Sequence, residues 1–245
     1  MARIVFFTGA GMSKESGLPT FRGAGGVWSE IDYERVATLK SWYGRQRKDV
    51  KERRQAMLDF FNPLRRMILR HEPNKGHYII ADLEKEHEVT VITQNGDDYH
   101  TRAGSTKVIY LHGEALKNAS SANPSLCYPI DRDNPDIHLG DKAPDGSQLR
   151  PYVIYFDEDI DRDLWREAVK ATKEADWFVI VGSTLLVYPA ALLLTYVRPD
   201  CCLVVIDPDD IALPPECSRE FTHIALPASD GLHRFCEMLQ RAPRS

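Results

Sequence analysis

The sequence contains no long hydrophobic run. None of its 245 residues lies in an apolar stretch close to the roughly 20 residues that a membrane-spanning helix needs. The apolar run near the N-terminus, from Ile4 to Phe7, is far too short for the core of a secretory signal. We therefore expect a cytoplasmic protein that does not contact a membrane.

The sequence also has few cysteines and no excess of positive charge. The chain has 5 cysteines, and no two of them form a CxxC pair. An odd number without such pairs argues against a disulfide framework and favours a reducing compartment. Lys and Arg number 31 against 36 Asp and Glu, for a formal net charge of −5, which argues against nucleic acid as a partner.

What the sequence does contain is an alternation of short apolar runs and helical patterns. The predicted strands are Arg3–Thr8, Val89–Thr93, Val108–Leu111, Tyr152–Phe156, Trp177–Val181, Leu203–Ile206 and His223–Leu226. The predicted helices are Asp49–His71, Lys75–Lys85, Asp161–Ala175, Ala190–Tyr196 and Asp230–Gln240. Apolar runs without polar alternation are typical of strands covered on both faces. The pattern predicts an α/β fold, a doubly wound and mostly parallel Rossmann-like sheet.

Two stretches interrupt this alternation. Val36–Glu72 is a highly charged helical insertion, and Glu114–Leu149 is rich in Asn, Asp, Pro and Ser without a sustained apolar period. We expect both to form a smaller inserted lobe within a single domain, 1–245. In this division the smaller lobe covers about 36–87 and 114–149, and the Rossmann-like part covers about 1–35, 88–113 and 150–245.

Small and polar residues directly follow several of the predicted strands. These groups are Gly9-Ala10-Gly11, Thr93–His100, His112-Gly113, Gly182-Ser183-Thr184 and Asp207. Ligands of open parallel sheets bind outside the carboxyl ends of the strands. There, glycines admit a phosphate, polar side chains bind ribose hydroxyls, and an imidazole can act as a general base. The same residues also suit tight turns, helix N-caps and a structural histidine, so alone they indicate no more than a nucleotide-binding α/β protein.

Together, these groups match one family in order and spacing, the sirtuins. The matching segments are Gly9–Arg22, which resembles GAGxSxxSGxPxFR; Thr93–His100 with Ala103-Gly104, which resembles TQNxDxxHxxAG; His112-Gly113, the HG pair; Arg150–Phe156, which resembles RPxVVxF; and Gly182–Ala190, which resembles GTSLxVxPA. The resemblance implies an NAD-dependent protein lysine deacylase. In that reaction the acyl-lysine oxygen attacks the ribose C1′ of NAD as nicotinamide leaves, and the acyl group ends on ADP-ribose.

The resemblance also implies roles for individual residues. The expected catalytic residues are His112, as the general base, and Asn95. The expected NAD-binding residues are Gly9, Ala10, Gly11, Ser13, Phe21, Arg22, Gln94, Asp97, Gly182, Ser183 and Asp207. The expected contacts to an acyl-lysine protein or peptide are Phe61, Leu64, Tyr155 and Asp157. Phe61 and Leu64 stand where sirtuins that remove acidic acyl groups carry Tyr and Arg, so we expect a preference for neutral acyl groups.

Several positions depart from the family pattern. Gly96 replaces a bulky aliphatic residue beside the nicotinamide, Tyr99 replaces a leucine, Asp157 replaces a glycine beside the peptide, and Asp207 replaces an asparagine. These changes keep two alternatives open: an NAD or ADP-ribose sensor without deacylase activity, and an NAD hydrolase or ADP-ribosyltransferase.

Zinc is a further departure. Most sirtuins hold zinc with two CxxC pairs after the catalytic histidine, whereas 114–149 contains only Cys127. We therefore expect no structural zinc and no other metal site.

Overall fold

In the computed structural model, which describes residues 1–21, 26–29, 31–44, 47–217 and 219–241, the strands form two sheets. The strands are β1 (Arg3–Thr8), β2 (Glu88–Thr93), β3 (Val108–Tyr110), β4 (Gly113–Ser120), β5 (Cys127–Pro129), β6 (Leu149–Val153), β7 (Trp177–Val181), β8 (Cys202–Ile206) and β9 (Thr222–Ile224). The α-helices are α1 (Gly11–Lys14), α2 (Tyr33–Val36), α3 (Leu39–Tyr43), α4 (Arg47–Arg70), α5 (Lys75–Leu83), α6 (Tyr99–Ala103), α7 (Arg162–Glu174) and α8 (Ala228–Arg241). Val27–Ser29 and Ala190–Tyr196 form 3-10 helices.

The larger sheet has six parallel strands in the order β3-β2-β1-β7-β8-β9. Its central strand β1 shows why the apolar runs do not alternate. Ile4 and Phe6 pack in the cluster that includes side chains of α5 and α8, whereas Val5 and Phe7 pack in the cluster that includes α7. All four are at most 3% exposed. Helices therefore cover both faces, which confirms the predicted α/β class with a parallel sheet.

The strand predicted at Tyr152–Phe156 does not belong to the parallel sheet, so that part of the prediction is wrong. It forms as β6 (Leu149–Val153) and belongs to a separate three-stranded sheet, β5-β4-β6, in which it pairs antiparallel with β4. The chain between β4 and β6 contains no described helix that would serve as a crossover, and without a crossover the returning strand pairs antiparallel. This small sheet and α4 share a third hydrophobic cluster, which includes Phe61, Ala115 and Tyr155.

The helices agree with the prediction where they are long. The patterns at Asp49–His71, Lys75–Lys85, Asp161–Ala175 and Asp230–Gln240 form as α4, α5, α7 and α8 with shifted ends, whereas Ala190–Tyr196 is a 3-10 helix. The prediction missed α2, α3 and α6, because helices of 4 or 5 residues are too short to show a period. No described helix is both apolar enough and long enough to cross a bilayer.

Candidate active site

A cleft of about 740 Å³ opens at the carboxyl ends of β1, β2, β7 and β8 and reaches the small sheet. Its lining includes these predicted site residues: Gly9, Ala10, Gly11, Phe21, Phe61, Leu64, Gln94, Asn95, His112, Tyr155, Asp157, Gly182, Ser183 and Asp207. The cleft therefore collects residues from positions 9 to 207 of the sequence. Arg22 lies outside the described residues, and its expected contact with NAD stays a prediction.

The glycine end of the cleft is built by two turns in direct contact. Gly11 N donates to Gly182 O at 2.9 Å, and Gly9 N donates to Val181 O at 3.0 Å. A Cβ on Gly11 would lie 2.6 Å from Gly182 Cα, and Gly182 itself has a φ of +59°. A Cβ on Gly182 would lie 2.4 Å from the carbonyl carbon of Gly11, so only glycine fits there without a clash or a strained φ, and the turns after β1 and β7 can meet. Where the two turns meet, the surface of the cleft consists of backbone atoms, and we call this surface the glycine wall. It suits the phosphates of a dinucleotide.

The side-chain amide of Asn95 is fixed by a chain of buried hydrogen bonds. Its Nδ2 donates to Gly9 O at 2.9 Å and to Ser13 Oγ at 3.2 Å, and Ser13 Oγ donates to Asp97 Oδ2 at 2.8 Å. Ser13 is 2% exposed and Asp97 is 4% exposed. Burial raises the pKa of Asp97 to about 6. Neither residue is among those that line the cleft, and their hydrogen bonds fix the orientation of Asn95. The expected contact of Ser13 and Asp97 with NAD stays a prediction.

His112 has a defined tautomer. Its Nδ1 lies 3.2 Å from the carbonyl oxygen of Gln94, and since a carbonyl can only accept, Nδ1 carries the hydrogen. Burial lowers the pKa of His112, so the ring is neutral near pH 7 and Nε2 is the basic nitrogen. Gly113 follows it with a φ of +78°, and a Cβ there would lie 2.4 Å from Tyr152 O. The glycine lets the chain turn from β3 into β4 directly after the imidazole.

Other polar groups line the nucleotide side of the cleft. Gln94 Nε2 donates to Ser183 Oγ at 2.8 Å, which ties the end of β2 to the turn after β7. Asp207 follows β8, and burial raises its pKa. The Asp207 carboxylate, the Gln94 amide and the Ser183 hydroxyl can form hydrogen bonds with ribose hydroxyls. The glycine wall beside them can accommodate the phosphates. These residues therefore fit NAD as the predicted cofactor.

The opposite side of the cleft is aromatic. The rings of Phe61 and Tyr155 lie 5.9 Å apart, and those of Phe60 and Phe61 lie 5.0 Å apart at nearly right angles. Asp157 stands at the mouth, exposed, with a left-handed φ of 65°. The sequence analysis missed several residues of this side: Thr20, Ala37, Phe60, Ala115, Ile160 and Tyr188. Thr20 and Tyr188 stand at variable positions of two sirtuin-like segments, Gly9–Arg22 and Gly182–Ala190. The other four are single residues outside the matched segments, where no local pattern marks them.

No group of three or more His, Cys, Asp or Glu side chains in the described part of the chain is arranged to hold a metal ion. The absence of zinc stays a prediction, since it concerns the purified protein.

Known proteins share both the sequence and the fold. Residues 9–189 match the model of the Sir2 family. A relative from Bacteroides thetaiotaomicron named NAD-dependent protein deacylase is 41% identical over 246 aligned positions, which cover 99% of this chain and 100% of the relative. A relative of the same name from Helicobacter pylori is 43% identical over 208 positions, covering 85% of this chain and 83% of its own.

Solved structures agree with these relatives. A crystal structure of a Sir2 homolog–NAD complex superposes with a TM-score of 0.81 at 30% identity, covering 97% of this chain and 89% of the other. A Sir2–p53 peptide–NAD⁺ structure superposes with a TM-score of 0.74 at 26% identity, covering 98% and 94%. The family match spans most of the chain and the Bacteroides thetaiotaomicron relative matches it nearly end to end, so this protein belongs to the Sir2 family.

Proposed function

We propose that the protein is an NAD-dependent protein lysine deacylase that transfers the acyl group of an acyl-lysine to ADP-ribose and releases nicotinamide. The observation that carries the proposal is His112, which lines the cleft as a neutral imidazole with Nδ1 fixed on the Gln94 carbonyl. A protein that only senses a nucleotide has no need of a base in this state. The naming of the full-length relatives as NAD-dependent protein deacylases also supports it.

Each side of the cleft would have a separate task. NAD would be held by the glycine wall together with Gln94, Ser183 and Asp207. When bound, NAD supplies the glycosidic bond that breaks in the reaction. Asn95 lines the cleft with its amide fixed by Gly9 and Ser13, so it would orient polar groups there without first reorganising. His112 would accept a proton on Nε2, as a positioned base does. Phe61 and Tyr155 would enclose the acyl group and keep water from it.

The first test replaces His112 by Ala. NAD affinity should be nearly unchanged, because the base acts only after the cofactor is held, and deacylation should fall by about 10²–10⁴-fold. Calorimetry measures NAD affinity, and mass spectrometry of an acyl-lysine peptide measures turnover. His233→Ala is a matched control, because this histidine lies on α8 with 77% of its side chain exposed and does not line the cleft.

The same assays on Asn95→Ala separate the proposed deacylase from its alternatives. For the deacylase, the variant should lose nicotinamide release, because an early step fails. A wild type that binds ADP-ribose tightly yet releases no nicotinamide with any acyl peptide would refute the deacylase and favour a sensor. Nicotinamide release that needs no peptide would indicate an NAD hydrolase, and modification of the peptide by ADP-ribose would indicate a transferase.

A further inference from the structure

We propose that Asp157 selects substrate segments in which a positively charged residue lies close to the acyl-lysine. The inference rests on the proposed deacylase function and specifies the substrate class of the same cleft. It is argued from the place of Asp157 at the mouth of the cleft, from the turn that fixes its backbone, and from the charges of the described residues around it.

The segment that contains Asp157 leads from the proposed base to the surface. Ile154 N donates to His112 O at 2.8 Å, and residues 153–158 all line the cleft. Three residues of chain span no more than about 11 Å, so Asp157 lies within that distance of Ile154. Because NAD would occupy the nucleotide side, an acyl-lysine would reach His112 along residues 153–158. The residues that flank the acyl-lysine would then stay at the surface beside Asp157.

A tight turn fixes the backbone at Asp157. Glu158 N donates to Tyr155 O at 3.1 Å, and Asp157 within this turn has a left-handed φ of 65°. Asp and Asn adopt this conformation more readily than most other residues with a side chain. On the buried side, Glu158 Oε2 accepts from Tyr155 N at 2.9 Å and from Arg150 Nη2 at 2.7 Å. The turn is therefore formed before a substrate binds.

The residue before the turn is anchored to the helical part of the small lobe. Phe156 N donates to Ala37 O at 2.8 Å, and Leu39 N donates to Phe156 O at 2.9 Å. The ring of Phe156 lies 5.2 Å from that of Tyr33, centroid to centroid. Residue 157 therefore follows a segment that is held on the ends of α2 and α3, and the place of its charge is fixed relative to the mouth of the cleft.

The carboxylate of Asp157 is available to a substrate. It is exposed, and no hydrogen bond or ion pair joins its side chain to another described residue. The neighbouring carboxylate of Glu158 is paired with Arg150. Among the described residues that line the cleft, the lysine is Lys14, which interacts with Asp207 on the nucleotide side. A cationic side chain beside the acyl-lysine would therefore meet an unpaired carboxylate, whereas an acidic one would meet a like charge.

The exposure of Asp157 limits the size of the effect. An exposed ion pair changes an equilibrium by up to about fivefold, which corresponds to about 1 kcal/mol. Salt weakens the interaction, because the screening length falls from about 10 Å at 0.1 M to about 3 Å at 1 M ionic strength. The flanking residue takes no part in the chemistry, so its contact with Asp157 should lower KM and leave kcat nearly unchanged.

The test uses one acyl-lysine peptide with Arg, Ala or Glu at each of the two positions before and the two positions after the acyl-lysine. Mass spectrometry gives kcat and KM at 0.1 M and 1 M NaCl. At one or more of these positions, we expect Arg to raise kcat/KM about three- to fivefold over Ala at 0.1 M NaCl, and Glu to lower it by a similar factor. Both ratios should approach one at 1 M NaCl.

Two variants test whether Asp157 is the source of this preference. Asp157→Asn removes the charge with little change of shape, and Asp157→Gly suits the left-handed turn as well. Each should bring the Arg-to-Ala ratio at 0.1 M NaCl close to one. Asp163→Asn is a matched control that should keep the wild-type ratio, because this carboxylate lies on α7 with 87% of its side chain exposed and does not line the cleft. Thermal melting checks that each variant folds.

The outcomes distinguish the two proposals. Turnover by wild type that is independent of charge at all four positions would overturn the selection by Asp157 alone, as would an Arg preference that persists in the folded Asn and Gly variants. A wild type that turns over none of the peptides would overturn the deacylase function and the selection together.

Discussion

Asp97 gives the sharpest test of the site's electrostatics. Its carboxylate is 4% exposed and accepts hydrogen bonds from Ser13 Oγ and Tyr99 N, yet burial raises its pKa from 3.8 to about 6. The folded protein therefore binds a proton at Asp97 more tightly than the unfolded chain does. Stability contributed by this group falls as pH rises from about 4 to about 6, and the penalty is complete above that range.

The magnitude follows from the pKa difference. A difference of about 2 between the folded and unfolded pKa values corresponds to about 3 kcal/mol, so ionised Asp97 destabilises the folded protein by about that amount at pH 7. Asp97→Asn has nearly the same shape and carries no charge. The unfolding free energy of the variant minus that of wild type should rise by about 2–3 kcal/mol between pH 4 and pH 7, on top of a pH-independent offset from altered hydrogen bonds.

Urea denaturation of wild type and variant at a series of pH values measures this difference. Other titrating groups, including His77 and His100, are present in both proteins and cancel in the subtraction. Asp163→Asn, which removes an exposed carboxylate on α7, is the matched control. A difference for Asp97→Asn that stays constant from pH 4 to pH 7 would refute the reasoning, because it would mean that Asp97 is not desolvated in the folded state.

Three further predictions use independent features. Burial lowers the pKa of His77 to about 3, so the stability that this group contributes should fall as pH drops from 6.5 toward 3, and His77→Asn should remove that contribution in urea denaturation. Glu158→Gln leaves the buried Arg150 without its counter-ion and should lower the unfolding free energy by about 3 kcal/mol; a loss below about 1 kcal/mol would contradict the pairing. Untagged protein should contain less than stoichiometric zinc by metal analysis, with a melting temperature that a chelator does not change.

Some features of the protein follow from local sequence alone. The run from Ile4 to Phe7 is apolar at successive positions, and a strand can bury all of these residues only if both of its faces are covered. The sequence also predicts that the small and polar residues after β1, β2 and β7 lie close together, because parallel strands end at one edge of a sheet. The motifs that carry the sirtuin resemblance lie at these strand ends, which is why family membership was predictable and is confirmed.

The tertiary structure decided the features that depend on which distant segments meet. The sequence predicts a strand at Tyr152–Phe156, whereas the structure has β6 at Leu149–Val153. Its antiparallel pairing with β4 follows from the absence of a described crossover helix between them. Ser13 lies 82 residues from Asn95 in sequence, and the fold joins Asn95, Ser13 and Asp97 in one buried chain of hydrogen bonds. The contacts of Gly96 with Ala115 and of Phe61 with Tyr155 join distant segments in the wall of the cleft. A local sequence pattern indicates which residues of one element are buried. A cavity is the space left between segments that are distant in sequence, so only the packing of those segments defines it.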